Sequence, residues 1–229
     1  MCGSIRSKPR KLMPFPPLVD FLALLGIDLA LSAGCLRLLA RIERAPKQSN
    51  WTKWATALFF IGMWLPVGSA RLPLLAYARG ISSDLSITLV ALACLDLCAR
   101  CMALPAIAGR EKTALRIALA LAALFLYPAA LGWGDWDSYR SGWASWGLWT
   151  GLLAVSFVAW SMGLTLLPSL VALALLAWSA GLMESSNLWD YLVDPWLAVA
   201  ALFGCLKSGA RRLWTRQRYG PRTFLQSPH

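Results

Sequence analysis

Seven apolar stretches, separated by short polar segments, dominate the pattern of hydrophobic and polar positions along the chain. A helix needs about 20 apolar residues to cross the hydrocarbon core of a bilayer, so stretches of this length predict membrane-spanning helices. We therefore expect an all-α protein, a polytopic transmembrane bundle of six or seven hydrophobic helices. The expected spans are residues 16–36, 54–70, 85–108, 115–131, 146–166, 169–183 and 188–206.

The run 146–183 has 38 residues without a charge. At 1.5 Å per residue it would form a helix of about 57 Å, nearly twice the thickness of the hydrocarbon core. It is therefore interpreted as two spans. Pro168 and Ser169 lie near its middle, and because proline disrupts a helix interior, we expect the turn there.

The composition agrees with a protein that uses lipid as its solvent. Hydrophobic residues make up 58% of the chain, charged residues 14%, and the mean hydropathy is +0.57. This is more apolar surface than the core of a soluble protein holds. We expect one domain, the bundle 16–206, between a basic N-terminal tail (1–15) and a basic C-terminal tail (207–229).

Charge predicts the orientation of the bundle. Six positive charges and no acid lie between Lys207 and His229, which places the C-terminus in the cytoplasm. If 16–36 crosses completely, the basic tail 1–15 lies outside, against the same rule. Either seven helices cross with an exceptional N-terminus, or the first segment re-enters and six cross; we expect seven. The Ala-, Leu-, Trp- and Arg-rich composition is typical of a bacterial inner membrane protein.

Residue types exclude several kinds of site. The only histidine is His229, which excludes bis-His haem, His-based metal catalysis and a Ser/His/Asp triad. Cys94, Cys98 and Cys101 offer three thiols without a fourth ligand, so they are interpreted as small buried hydrophobic residues. We expect no metal and no cofactor.

Small residues recur every fourth position in the first segment, at Gly26, Ala30 and Gly34. They form a smooth stripe that predicts close approach of a neighbouring helix. Asp28 lies about 200° around the helix from Gly26, so it points away from this stripe. An unpaired acid in the membrane is costly, so Asp28 is expected to have a partner.

The third apolar stretch contains Asp96 and Arg100, which lie four residues apart and therefore on one helix face. An ion pair there would satisfy both charges inside the membrane. Two interpretations are open: a bridge that fixes helix packing, which we favour, or part of an ion or proton path. Arg100 also lies within reach of the cytoplasmic interface.

Two loops on the expected outer side combine acids with aromatic rings. Asp135 and Asp137 lie between tryptophans, and Asp190 and Asp194, at the start of the run 188–206, lie in a similar setting. Carboxylates bind hard cations and tryptophan offers a flat apolar face, so a head-group or ion site is one hypothesis, with Arg71 and Arg79 available to hold phosphate; the favoured interpretation is an interfacial aromatic belt.

The hexapeptide Gly80-Ile-Ser-Ser-Asp84-Leu85 is similar to a Gly-x-x-x-Asp-Leu element in the membrane domains of lipoteichoic-acid-synthase-like and phosphoethanolamine-transferase-like proteins. The likeness covers six residues. Those proteins carry a large extracytoplasmic catalytic domain, for which these 229 residues leave no room. The resemblance therefore implies no activity for this chain.

The leading functional hypothesis is a non-catalytic accessory or interaction subunit in a membrane or envelope process. The alternatives are an enzyme acting on a lipid-linked sugar or phosphate head group at the outer face, and a small transporter with Asp28, Asp96 and Arg100 along a polar path. Expected partners are the lipid bilayer, anionic lipids at the basic tail and a membrane protein; nucleic acid is not expected.

Overall fold

The fold is that of a computed structural model, which describes residues 16–42, 50–102, 104–143 and 145–218. The predicted tail 1–15 and the end of the C-terminal tail, 219–229, lie outside these residues. The described chain is mostly helical, which confirms the all-α prediction. Its elements are α1 (Pro16–Ile42), α2 (Asn50–Met63), β1 (Pro66–Val67), β2 (Leu72–Pro73), α3 (Leu74–Ser82), α4 (Ile87–Cys101), α5 (Gly109–Ala130), η1 (Tyr139–Gly142), α6 (Trp146–Ser161), α7 (Leu166–Ala180), α8 (Leu188–Leu192) and α9 (Pro195–Arg218).

Two of the described helices, Leu18–Ile42 and Gly109–Ala130, are long and apolar enough to cross a membrane. Helices α6 and α7 are apolar but shorter, with 16 and 15 residues. Two long apolar helices favour a membrane association.

The uncharged run 146–183 is broken into two helices, five residues before the predicted place. Helix α6 ends at Ser161, and Gly163 adopts a left-handed φ of 72° in the turn that precedes Leu166. Glycine has no Cβ and adopts this conformation at little cost. Pro168 lies in the first turn of α7, where its missing N–H has no intrahelical partner to lose.

The apolar run 188–206 is also divided, into α8 and α9. The Asp194 carboxylate accepts a hydrogen bond from the backbone N–H of Leu197 at 2.8 Å and so caps α9. Pro195 is the first residue of that helix, where its fixed φ is favourable. Helix α9 then continues through the predicted boundary at 207 to Arg218.

A two-stranded antiparallel hairpin and a short helix fill the segment between α2 and α4. Strands β1 and β2 pair Pro66 with Pro73 and Val67 with Leu72. Helix α3 follows directly, and its Leu75 is fully buried beside Ile27 of α1 and Leu85. This contact holds α3 against the end of the bundle and positions Arg79.

The main hydrophobic core lies among α5, α7, α8 and α9. Its most buried members are Ala174 of α7, Leu188 and Tyr191 of α8, and Ala123 of α5. Helices α1 and α4 pack against each other beside this core. With α3 they enclose a smaller hydrophobic cluster, whose buried members are Ile27, Leu75 and Leu85. The arrangement fixes α3 and α8 at one end of the bundle.

The small-residue stripe of α1 meets α4 at one of its three positions. Gly26 is buried, and a Cβ at this position would lie 3.0 Å from Val90 Cγ2. Ala30 packs against the smaller cluster. Gly34 is exposed, and a Cβ there would have nothing within 4 Å.

Gly26→Leu is expected to lower the free energy of unfolding by about 1–3 kcal/mol, because the added side chain overpacks the contact with Val90. Gly34→Leu is the matched control on the same helix, and it is expected to leave stability nearly unchanged. Thermal unfolding of both variants in the same detergent measures the difference. Equal midpoints for the two variants would contradict close packing of α1 on α4 at Gly26.

Candidate functional site: an acidic cavity

A cavity of about 440 Å³ lies at the end of the bundle, where the end of α3 and the segment before α4 meet the end of α5, η1, α8 and the start of α9. We refer to it as the acidic cavity, because four carboxylates and two tyrosines stand out in its lining. These side chains are Asp84, Glu184, Asp190, Asp194, Tyr127 and Tyr139.

Arg79 of α3 joins three acids from three parts of the chain. Its Nη1 lies 2.7 Å from Asp20 Oδ1, its Nε 2.8 Å from Asp84 Oδ1, and its Nη2 2.9 Å from Glu184 Oε1. The Asp84 side chain is 14% exposed, whereas those of Asp20 and Glu184 are 51% and 67% exposed. Asp84 therefore depends most on the arginine.

These hydrogen bonds, led by the one to Asp20, raise the pKa of Arg79 above its ordinary value. The guanidinium is planar and its donors are fixed in a fork, so it binds three carboxylates in separate directions. Arg79 thereby links α1, the segment between α3 and α4, and the loop after α7. The wall of the cavity is built on this link.

Asp194 is buried and fixes the starts of two helices. Its Oδ2 accepts hydrogen bonds from the Ser86 backbone N–H at 3.1 Å and the Ser86 hydroxyl at 2.7 Å. The Ser86 hydroxyl in turn accepts from the Leu89 N–H, so Ser86 caps α4. Because Asp194 also caps α9, one carboxylate holds α4 and α9 together at this end.

The Tyr139 hydroxyl donates its one proton to the Asp190 carboxylate of α8, whose two oxygens lie 3.0 and 2.8 Å from the hydroxyl oxygen. The Ser185 hydroxyl also donates to it. Burial, followed by the hydrogen bond to Asp190, raises the pKa of Tyr139 to about 12. At neutral pH the phenol is therefore protonated and donates to Asp190.

Tyr139 is held in place by the docking of the 3₁₀ turn η1 on α8. The Asn187 side chain donates to the Tyr139 carbonyl at 2.9 Å, and Trp189 Nε1 donates to the Ser141 hydroxyl at 3.0 Å. Ser138 donates to the carbonyl of Leu126 at the end of α5. The loop between α5 and α6 is thus anchored at η1, although much of it is exposed.

The structure brings together three of the six residues predicted for a head-group or ion site. Asp190 and Asp194 line the acidic cavity, and Arg79 binds its lining residues Asp84 and Glu184. The sequence predicts that Asp190 and Asp194 lie on one short segment, and in the structure this segment contains α8.

The other three predicted residues do not line the cavity. Asp135 and Asp137 are exposed in the loop after α5, where Asp137 accepts a hydrogen bond from the Arg140 backbone N–H at 3.1 Å. Arg71 is exposed in the β1–β2 turn with a positive φ of 49°. The acidic loop 132–146 therefore contributes Tyr139 to the cavity rather than its carboxylates.

Sequence reasoning missed Asp20, Glu184 and Tyr139 as members of this site. Asp20 and Arg79 are 59 residues apart, and Arg79 and Glu184 are 105 apart, so no local spacing pairs them. The available signal was position: Asp20 and Glu184 each lie close to the end of an apolar run. Several charges at the same ends of antiparallel helices are brought together by the fold.

The intramembrane acids predicted from sequence take part in two separate sets of contacts. Asp28 is fully buried and accepts hydrogen bonds from Trp64 Nε1 at 2.6 Å and from the Ser32 hydroxyl at 3.4 Å. Asp96 binds Arg100 Nε at 3.0 Å and also Arg37 Nε of α1 at 2.8 Å. These contacts do not join Asp28 to the Asp96–Arg100 pair.

Charge determines what the acidic cavity can hold. Arg79 supplies one positive charge that Asp84 and Glu184 share with Asp20, and within the described residues neither Asp190 nor Asp194 has an ion-pair partner. A positively charged group is therefore attracted to the cavity and a phosphate is repelled. Its volume lies in the range of small-molecule sites. Across the described ranges, no group of three or more His, Cys, Asp or Glu side chains could hold a metal ion.

Comparison with known proteins gives no relative: no family model, no curated protein and no solved structure matches the chain.

Proposed function

We propose that this chain is a multi-pass integral membrane protein that serves as a non-catalytic accessory or interaction subunit and recognises a positively charged group of its partner through the acidic cavity. Recognition of a positively charged group rests on the excess of carboxylates over cations in the cavity lining. The multi-pass membrane location is supported by the alternating directions of the helices.

Successive long helices run between two chemically different ends. At the acidic end, Arg79 binds Asp20 of α1, and Asp194 joins the starts of α4 and α9. At the other end, which we call the basic end, Arg37 of α1 and Arg100 of α4 share Asp96. Asp20 and Arg37 are 17 residues apart on α1, or about 26 Å, close to the thickness of a hydrocarbon core.

Further contacts at the basic end show the direction of the remaining helices. Lys53 of α2 donates to the Cys101 carbonyl, Arg116 of α5 to Ser208 of α9, and the Thr165 backbone N–H before α7 to Glu111. All of these contacts are at the basic end. Helices α1, α2, α4, α5, α6, α7 and α9 then alternate in direction, which supports the seven-helix arrangement over the six-helix one.

Helices α2 and α6, which have 14 and 16 residues, also present apolar faces outward. On α2, Trp54, Leu58 and Ile61 are 71%, 68% and 62% exposed and lie on one face. Phe157 and Trp160 of α6 are 66% and 68% exposed. Such surface is favourable in lipid and costly in water. We therefore place the sides of the bundle in lipid.

The positive-inside rule then orients the bundle. Lys207, Arg211 and Arg212 of α9 lie at the basic end, so this end is assigned to the cytoplasm and the acidic cavity to the outer face. The location proposed is the inner membrane of a bacterium. The start of α1 then faces outward, as the seven-helix arrangement requires.

A second candidate is an enzyme that acts on a lipid-linked sugar or phosphate head group at the outer face. The observation that favours it is a cavity of small-molecule size in which Tyr139 and Asp190 form a hydrogen-bonded donor and acceptor pair. The charge of the lining favours an amine-bearing head group over a bare phosphate. Turnover of a lipid substrate by the purified chain would distinguish this candidate from the first.

The test is recovery of a partner from native membranes in a mild detergent. The native chain and Asp135→Asn/Asp137→Asn are expected to recover a membrane protein in fixed proportion. The double variant Glu184→Gln/Asp190→Asn makes the same net change of charge, but in the cavity lining, and is expected to reduce recovery about tenfold or more. The thermal midpoint of each variant is measured alongside, which separates lost recognition from lost folding.

Two outcomes would contradict the proposal. Extraction of the chain from membranes by alkaline carbonate would exclude membrane insertion. Recovery of the chain only as an isolated protein that turns over a lipid substrate would replace the interaction role with the enzymatic one.

A further inference from the structure

Two arginines from two helices share one carboxylate at the basic end, and a lysine from a third helix contacts the end of α4. Arg37 of α1 and Arg100 of α4 each place Nε on the same oxygen, Asp96 Oδ2, at 2.8 and 3.0 Å. Lys53 of α2 donates to the Cys101 carbonyl, one residue beyond Arg100, at 3.1 Å. We refer to Arg37, Lys53 and Arg100 as the basic cluster.

The carboxylate does not neutralise the basic cluster. The cluster carries three positive charges, and among the described residues Asp96 is its one ion-pair partner, so two positive charges remain in excess. Asp96 occupies only the Nε atom of each arginine, and within the described residues the terminal nitrogens of both have no ion-pair partner. The Arg37 side chain is 57% exposed and that of Arg100 is 39% exposed. Both guanidinium groups are therefore accessible from outside the bundle.

This geometry suits a phosphate. A guanidinium binds phosphate oxygens through paired N–H donors, and sharing one carboxylate oxygen holds two guanidinium groups within reach of the same ligand. The ammonium of Lys53 adds a point charge from the third helix. Basic pockets between transmembrane helices on the cytoplasmic side are a recurring setting for anionic head groups.

Apolar surface beside the basic cluster favours a lipid over a free anion. Leu38 of α1, Trp54 of α2 and Met102 after α4 are 58%, 71% and 68% exposed and follow or flank the cationic residues along the chain. A ligand that contacts both surfaces has a phosphate head and an apolar body. A soluble anion would leave the apolar part uncovered.

We propose that the basic cluster is a site for the phosphate of an anionic phospholipid of the inner leaflet. The site is formed by α1, α2 and α4, separate from the C-terminal tail. The proposal depends on the membrane location proposed above but not on the role of the acidic cavity.

The test uses the full chain purified in mild detergent and compares retention of phosphatidylglycerol with that of phosphatidylcholine by native mass spectrometry. The native chain is expected to retain phosphatidylglycerol preferentially. A triple variant, Arg37→Gln/Asp96→Asn/Arg100→Gln, removes both arginines and also replaces Asp96, so that no unpaired carboxylate remains. It is expected to reduce the preference for phosphatidylglycerol about tenfold. Lys112→Gln makes the same net change of charge at the exposed start of α5 and is expected to leave it unchanged.

Asp96→Asn keeps both arginines and removes the competing acid. It is expected to retain phosphatidylglycerol as well as, or better than, the native chain, which a purely structural ion pair would not do. Unchanged preference in the triple variant would overturn the proposal. Binding of inorganic phosphate alone as tightly as the lipid would overturn the lipid assignment, and carbonate extraction of the chain would instead contradict the membrane location.

Discussion

Gly142→Ala is expected to lower the free energy of unfolding by about 3 kcal/mol, the largest effect of any conservative substitution at the acidic end. A Cβ on Gly142 would overlap the Asn187 side-chain oxygen and would lie 2.8 Å from Trp189 Cδ1. Asn187 would have to move, and it would lose its bonds to the Tyr139 carbonyl and the Trp189 N–H. Thermal unfolding in detergent measures this loss.

Gly151→Ala provides the control for the same chemical change. Gly151 lies within α6, and a Cβ there would have nothing within 4 Å. Alanine is a better helix former than glycine, so this variant is expected to be as stable as the native chain or slightly more stable. If Gly142→Ala unfolded at the same temperature as Gly151→Ala, the docking of η1 on α8 described above would be wrong.

Asp194→Ala is expected to destabilise the protein by about 2–4 kcal/mol. The change removes the cap of α9 and leaves the buried N–H and hydroxyl of Ser86 without their acceptor. Because both helix starts depend on this carboxylate, α4 and α9 should loosen together. Hydrogen exchange of the amides at the two starts measures this directly, alongside the thermal midpoint.

Asp135→Ala is the matched control, since Asp135 is an exposed aspartate near the same end of the bundle. Its expected effect on stability is within about 0.5 kcal/mol. Faster exchange confined to α9, with α4 unchanged, would show that Asp194 acts only as a cap. A native midpoint for Asp194→Ala would contradict both roles.

The sequence was sufficient to predict the helical class and the local pairs. Asp96 and Arg100 lie on one helix face at a spacing of four, and the structure contains that pair. The third member, Arg37, is 59 residues from Asp96 and depends on α1 packing against α4. Helical periodicity carries no information about such a distance.

Helix boundaries were less predictable, because several residues permit a break. Pro168 was the expected turn in the run 146–183, but the first turn of a helix accepts proline. Gly163 allowed the left-handed turn that occurs, with a φ of 72°. In the last run, Asp194 caps α9 through the Leu197 N–H, and its contact with Ser86, 108 residues away, joins that helix start to α4.

The candidate site was predicted in part for a similar reason. Asp190 and Asp194 share one loop, so their proximity is local. Glu184 joins Asp84 only through Arg79, which is 105 residues away. Asp135 and Asp137 had the strongest local pattern, yet the loop turns Tyr139 toward the cavity and leaves both acids in solvent.

The three-way contact of Arg79 has a consequence for the order in which the chain assembles during synthesis. Asp20 and Asp84 are available to the arginine once the chain has emerged from the ribosome through α3 and Asp84, whereas Glu184 follows about 100 residues after Asp84. The N-terminal half can therefore close around Arg79 first. Glu184 then joins an arginine already held in position, so the late helices dock onto a preformed template.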